Sequence, residues 1–219
     1  ALEQVIAELD TSQGQNHSFI AADSGNPEEL AKLVSDHFAG KSVNILVNNT
    51  GGPPEGQASS ARPEEYTLAF AQHVLCNQAV LQAVLPDMRS SGYGRIINII
   101  STSVKQPIPN LGVSNTIRGA VASWAKTLAG ELGPDGITVN NVLPGFTETD
   151  RLDEILDTRA GKTGKSADEI SEALKNTVPL RRFARASETA AAVAFLASPA
   201  AAYINGINLP VDGGRTSSL

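Results

Sequence analysis

Short apolar runs alternate along this chain with longer stretches in which apolar positions recur every three or four residues. The first pattern suits strands covered on both faces, the second suits helices. Leu2, Val5, Ile6 and Leu9 fall at helical spacing, so the sequence opens within a helix. HSFIAAD at 17–23 reads as a short buried strand. Asn26-Pro27-Glu28-Glu29 is a helix start, with an N-cap, a proline in the first turn and acids near the positive end of the dipole. This helix is expected to run to about Phe38 and to end at Gly40. NILVNN at 44–49 is a strand too apolar to carry a wet face. Pro63 opens a long helix with Phe70, His73, Asn77, Leu81 and Val84 on one face. GRIINIIS at 94–101 is the next buried strand. A helix follows from Ser114 to about Leu132, with Ala120, Trp124, Leu128 and Leu132 in register. ITVNNVLPG at 137–145 is a strand ending in a Pro-Gly turn. Ser187 caps an alanine-rich helix that stops before Pro199, and INLPVDGG at 207–214 closes the chain with a strand and turn. Strand and helix alternate throughout. The expectation is one α/β domain over 1–219, a doubly wound parallel sheet with helices on both faces.

Composition narrows the class. The 219 residues are 41% hydrophobic and 18% charged, enough for one sizeable core. A net charge of -6 argues against nucleic acid or an anionic membrane as partner. No unbroken apolar run is long enough to span a bilayer, and no basic-then-apolar leader opens the chain. Cys76 is the single cysteine, which excludes an internal disulfide and any cysteine-based metal site. A cytoplasmic protein that binds no metal is the expectation.

Ligands of open α/β sheets sit beyond the carboxyl ends of the strands. Asp23, Asn49, Ser101 and Gly145 all fall at such ends. With NNTG (48–51), GRIINIIS, NNVLPGFTET (140–149) and VDGG (211–214) in this order, the chain resembles the short-chain dehydrogenase/reductase family, particularly its β-ketoacyl-carrier-protein reductase branch. The resemblance covers nearly the whole chain. It implies a Rossmann-type dinucleotide-binding domain, NAD or NADP as cofactor, and a small carbonyl or alcohol substrate. By resemblance, Asp23 meets the adenine, Asn49, Thr50 and Gly51 line its ribose, and Pro144, Gly145, Thr147 and Thr149 hold the nicotinamide carboxamide. The stretch around 148–185, with Gly161 and Gly164, corresponds to the substrate lid. The helices matching Pro63–Leu85 and Ser114–Leu132 pack on symmetry mates in the family, which implies a homotetramer or homodimer. Leu75 beside Leu81, and Val121 beside Trp124, put apolar residues on more than one face of each.

Two departures from the family pattern stand out. Family members open with a strand, a glycine-rich turn that receives the pyrophosphate, a helix and a second strand. Nothing in 1–219 matches this unit, so a segment of that kind upstream of Ala1 is expected. The catalytic set is also altered. Ser101 matches the family serine, thirteen residues before Ser114, which stands at the position of the tyrosine acid. Arg118 stands for the lysine four residues on, and His73 for the helix asparagine that organises a relay water. Ser114 and Arg118 share one helix face. A serine hydroxyl is a far weaker acid than the tyrosine it replaces, and an arginine does not titrate near neutrality. Each residue has a plainer alternative: an N-cap for Ser114, a surface or interface cation for Arg118, a satisfied helix-face histidine for His73, a turn for Asn48-Asn49. The sequence supports an oxidoreductase in which Ser101 orients the carbonyl, Arg118 holds the cofactor ribose and His73 or water supplies the proton. The rival is a catalytically silent member that binds cofactor or acts as a scaffold.

Overall fold

Apolar runs bounded by glycine and asparagine give strands of only four to eight residues at the centre of the molecule. The computed structural model describes residues 2–218. Its strands are β1 (Ile45–Asn48), β2 (Gly94–Ile99), β3 (Ile137–Pro144), β4 (Thr147–Glu148), β5 (Ala184–Arg185) and β6 (Asn208–Val211). β1, β2, β3 and β6 form one sheet in that order, parallel throughout. β4 and β5 make a separate two-residue ladder. The helices are α1 (Leu2–Glu8), α2 (Pro27–Phe38), α3 (Pro63–Phe70), α4 (Cys76–Ser91), α5 (Gly112–Leu132), α6 (Asp150–Thr163), α7 (Ala167–Asn176) and α8 (Ala186–Ala197).

Helices cover both faces of the sheet, as the alternation predicts. On one side α2, α4 and α5 bury Val34, Leu81, Val84, Met88, Leu128 and Leu132 against Ile96, Ile137 and Val139. On the other, Leu196 of α8 packs on Ile97 and Val142. α2 starts as expected, with Asn26 Oδ1 accepting from the Glu29 amide, and it ends at Phe38 before Gly40. Trp124 ties α5 to α4 by donating from Nε1 to Gln78 Oε1 at 2.9 Å.

Several expectations need correction. Residues 17–23 are not a strand, because no neighbouring strand among the described residues supplies a ladder for them. Asp23 therefore ends a coil, where its Oδ1 accepts from the Gly25 amide. β1 does carry a wet face: Ile45 and Val47 are 47% and 43% exposed, because α8 packs over β2, β3 and β6 and leaves them open. Ser187 is not the cap of α8. Arg185 holds that place, and the Glu188 carboxylate accepts its amide at 2.8 Å. α5 begins at Gly112, so Ser114 lies inside its first turn and is not the cap. Phe70 turns outward with Leu68 and Leu75, whereas Val121 is buried and Trp124 packs beside it. The helical run Pro63–Ser91 is long and apolar enough by composition to cross a bilayer, although its inner face (Leu81, Val84, Met88) is core.

A row of asparagines crosses the sheet. Asn48 Nδ2 donates to Asn98 Oδ1, Asn98 Nδ2 to Asn141 Oδ1, and Asn141 Nδ2 to Asn208 Oδ1, each at 2.8 Å. These residues are direct partners in the ladders. Buried amides cost free energy unless paired, and here neighbours in register pair them. Asn48 is thus part of the sheet and not of a turn.

Candidate active site

The carboxyl ends of β1 and β2 are joined by an arginine. α5 runs beneath them, and Arg118 is buried at 7% exposure. Its Nη1 donates to the Ile99 carbonyl at 3.2 Å and its Nη2 to the Thr50 carbonyl at 3.3 Å. Burial pulls the guanidinium down to about 10, which leaves it charged at neutral pH. Ser114 lies one turn earlier on the same face and is also buried.

His73 approaches this arginine from the neighbouring helix of the same layer. Between α3 and α4 the backbone widens into one π-helical turn, Ala71–Leu75, and His73 is at its centre. Such bulges recur at functional sites. The imidazole is 1% exposed, and its Nδ1 lies 2.6 Å from the Thr50 hydroxyl. Its Nε2 is buried with no hydrogen-bond partner among the described residues. Burial first, and then the charge of Arg118, pushes the His73 pKa down to about 4. The ring is therefore neutral near pH 7. Thr50 thus serves both groups, with its carbonyl to Arg118 and its hydroxyl to His73.

Ser101 follows β2 and opens a 3-10 turn over Thr102–Val104, where its Oγ accepts from the Ser103 amide at 3.1 Å. The hydroxyl hydrogen stays available to a ligand. Beside these residues runs a groove of about 640 Å³. Asn49, Pro144, Gly145, Thr147 and Thr149 line it, with Val47, Ile99 and apolar residues of α6 and α8. Ile99 connects the two clusters, since it lines the groove and its carbonyl binds Arg118. Gly145 is required by packing: a Cβ there would meet the Asp212 Cα at 2.7 Å. The Pro-Gly and Val-Asp-Gly-Gly motifs thus fit against one another. Gly51 has nothing within 4 Å of a would-be Cβ, so a ligand can approach its backbone. Asp23 does not line the groove; it lies on an exposed turn before α2.

The stretch 148–185 forms α6 and α7, an excursion over the groove mouth that is latched to the loop after β1. Arg159 of α6 donates from Nη2 to Glu55 Oε1 at 3.1 Å, and Lys162 lies 3.6 Å from the other oxygen. That loop is itself pinned to α5, since Gly112 donates to the Gly56 carbonyl at 2.9 Å. A side chain at Gly112 would meet the Ala58 amide at 2.2 Å, so only glycine fits. Glu55, Arg159, Phe146 and Arg215 carry no pattern in the sequence that singles them out.

The fold is a Rossmann-like parallel sheet flanked by helices, and comparison with known proteins gives its class. Residues 1–216 match the model of a family described as enoyl-(acyl carrier protein) reductase. The NADPH-dependent reductase BacG of Bacillus subtilis is 31% identical over 177 residues, 81% of this chain and 68% of its own length. The 3-oxoacyl-(acyl-carrier-protein) reductase FabG of Vibrio cholerae is 36% identical over 206 residues, 92% of this chain and 78% of its own. Among solved structures, the NADPH-dependent reductase YwfH involved in bacilysin biosynthesis superposes with a TM-score of 0.89 at 27% identity, over 100% of this chain and 84% of that one. L-sorbose reductase from Gluconobacter frateurii, solved with NADPH and L-sorbose, superposes with a TM-score of 0.85 at 28% identity, over 91% and 77% of the two chains. The chain belongs to the short-chain dehydrogenase/reductase family of NAD(P)-dependent reductases.

Proposed function

We propose that this protein is an NAD- or NADP-linked oxidoreductase of a small carbonyl or alcohol substrate, with an altered proton-donating group. The observation that carries this reading is the convergence of Arg118, Thr50 and His73 beside a groove at the strand ends. The groove has apolar walls, with amide and hydroxyl groups at Asn49, Thr147 and Thr149. The hydroxyls of Thr147 and Thr149 fit the nicotinamide end of a dinucleotide, and the Asn49 amide fits the adenine-side ribose. In this reading Asn49, Thr50 and Gly51 border the ribose next to the adenine, Asp23 is assigned to the adenine itself, and Pro144 to Thr149 hold the carboxamide. The nicotinamide, when bound, exchanges hydride with the substrate carbon.

The chain's own residues do the rest. The Ser101 hydroxyl donates to the carbonyl oxygen and orients it. Arg118 supplies fixed positive charge near the developing oxyanion and borders the cofactor ribose. The proton that the carbonyl oxygen takes up comes from water, directly or relayed through His73, which is neutral at working pH and can take a proton at one ring nitrogen and release one from the other. Ser114 occupies the position of an acid without the acidity. The second reading, a silent cofactor-binding or scaffolding subunit, is favoured by one observation: both Nη groups of Arg118 already serve backbone carbonyls. The protein is placed in the cytoplasm, and Leu68, Phe70 and Leu75, each at least 40% exposed, fit a homodimer or homotetramer contact. Light scattering tests the assembly, and a monomer at micromolar concentration counts against it.

The deciding experiment incubates the full-length protein with NADH or NADPH and a panel of activated ketones. Turnover that falls about tenfold or more in Ser101→Ala supports the oxidoreductase reading. Cofactor binding with no turnover on any substrate selects the silent one.

A further inference from the structure

A second, smaller cavity lies next to the groove and is built for a different ligand chemistry. It measures about 210 Å³ and is lined by Thr102, Gln106, Pro107, Ile108, Pro109, Thr177, Arg215 and Thr216. Three parts of the fold meet there: the turn that directly follows Ser101, the end of the lid helix α7, and the C-terminal segment. Arg215 lies over the Phe146 ring, with its Cζ 4.4 Å from the ring centroid. Phe146 in turn lines the large groove. The guanidinium thus belongs to the small cavity while resting on a wall of the large one.

The hydrogen-bond capacity here is not used up. Arg215 has no salt bridge and its side chain donates no hydrogen bond among the described residues. The nearest acid, Asp212, is engaged elsewhere: its carboxylate accepts from the amides of Gly214 at 3.0 Å and Thr216 at 2.8 Å. The Thr177 hydroxyl donates to the Leu174 carbonyl, and the Gln106 carbonyl accepts from Ser217. The Thr102 hydroxyl donates to no protein group among the described residues, whereas the Thr216 side chain is held by the Asp212 carboxylate. Partial burial weighs against the Arg215 cation, Asp212 favours it, and the neighbouring charge of Arg159 weighs against it again. An unpaired, half-buried guanidinium beside the spare Thr102 hydroxyl is an arrangement that a carboxylate would complete.

We propose that this cavity is a subsite for the carboxylate of the substrate, held by Arg215 with Thr102, so that the preferred substrates are oxo acids or hydroxy acids and not neutral ketones. The proposal rests on the oxidoreductase reading above for the word substrate, but the anion site stands or falls by binding alone. With the carboxylate on Arg215 and the carbonyl on Ser101, adjacent residues Ser101 and Thr102 would address the two ends of one short molecule.

The test measures calorimetric binding of a series of short straight-chain oxo acids, differing in the spacing between ketone and carboxylate, and of their methyl esters. The full-length protein is used at constant ionic strength. Charge-assisted hydrogen bonds predict that the best acid binds about tenfold or more tightly than its ester. Arg215→Gln should bring the acid-to-ester ratio close to one, and Arg215→Lys, which keeps charge but loses the fork, should leave a reduced ratio. Thermal unfolding of each variant confirms that it is folded. Equal binding of acid and ester, or a preference unchanged in Arg215→Gln, overturns the proposal. If Arg215→Gln does not fold, competition by acetate against the acid in the parent protein decides instead: competition supports the subsite and its absence overturns it. Acid binding that depends on Arg215 in a protein that reduces nothing would preserve the subsite and remove the enzymatic reading. Turnover of ketones without any preference for acids would do the reverse.

Discussion

The hydroxyl of Thr50 sits 2.6 Å from Nδ1 of His73, across the seam between the end of β1 and the π-helical turn. This contact fixes the ring of a fully buried histidine whose other nitrogen has no partner among the described residues. Replacing Thr50 by valine keeps the shape and removes the only hydrogen bond that the imidazole makes here. The expected cost is about 1–3 kcal/mol of folding stability, the usual penalty for leaving a buried polar group unpaired. Urea unfolding of Thr50→Val and Thr50→Ser measures it. The serine variant should recover most of the loss, and a valine variant as stable as the parent would show that the contact contributes nothing.

His73 should also make stability depend on pH over a defined window. Its folded pKa of about 4 lies below the ordinary value of 6.5. Above about pH 6.5 the ring is neutral in both states and contributes no pH dependence. Between 6.5 and 4 the unfolded chain takes up a proton that the folded chain refuses, so stability falls as pH falls. The slope approaches ~1.4 kcal/mol per pH unit. Below 4 both states are protonated and the loss stops growing. The variant His73→Asn should flatten this part of the profile, and an unchanged slope would place the pH dependence elsewhere.

On the proposed reading, in which Ser114 stands where the family has its acid, ketone reduction should be slow for want of one. The double change Ser114→Tyr with Arg118→Lys places a phenol and an ammonium at the two positions on α5. A gain of about 10²–10⁴-fold in turnover of an activated ketone is expected, the range attributable to a positioned general acid. Cofactor affinity should stay within a few-fold. A parent that is already fast, with a slower double mutant, would show that Ser114, Arg118 and His73 form a working site of their own.

The contact between Glu55 and α6 predicts a looser α6 when it is cut. Glu55→Ala removes the partner of Arg159 and Lys162 together. Hydrogen exchange in α6 should accelerate by about fivefold, as expected for losing roughly 1 kcal/mol from a partly buried ion pair. Protection in β2 and β3 should not change. Uniform acceleration through the sheet would mean that Glu55 supports the whole fold and not α6 alone.

Reading the chain by pattern works where structure depends on local composition. β2 and β3 are buried along their length because both their faces are covered, and the start of α2 is set by Asn26 and Pro27. Residues 17–23 have the same kind of composition yet form no strand, since a strand exists only with a neighbour to pair with. The site divides in the same way. Ser101, Asn49 and Gly145 are legible because they end apolar runs. The contact of His73 with Thr50 joins residues 23 positions apart on different elements, and no periodicity carries it. The placing of Arg215 over Phe146 is likewise a product of how the C-terminal segment folds back.

The amides of Asn48, Asn98, Asn141 and Asn208 work as a parity check on the sheet. Each must find its counterpart on the adjacent strand, and all of them point their donors the same way. Sliding β2 by a single residue would set Ile97 or Ile99 opposite an amide on both sides at once. Apolar side chains alone would tolerate such a slip, because one branched residue fills the place of another. The asparagines do not, so misassembled sheets are discarded before they are consolidated. The four strands should therefore lock together as one cooperative event, with Asn98 and Asn141, which have partners on both sides, at its centre.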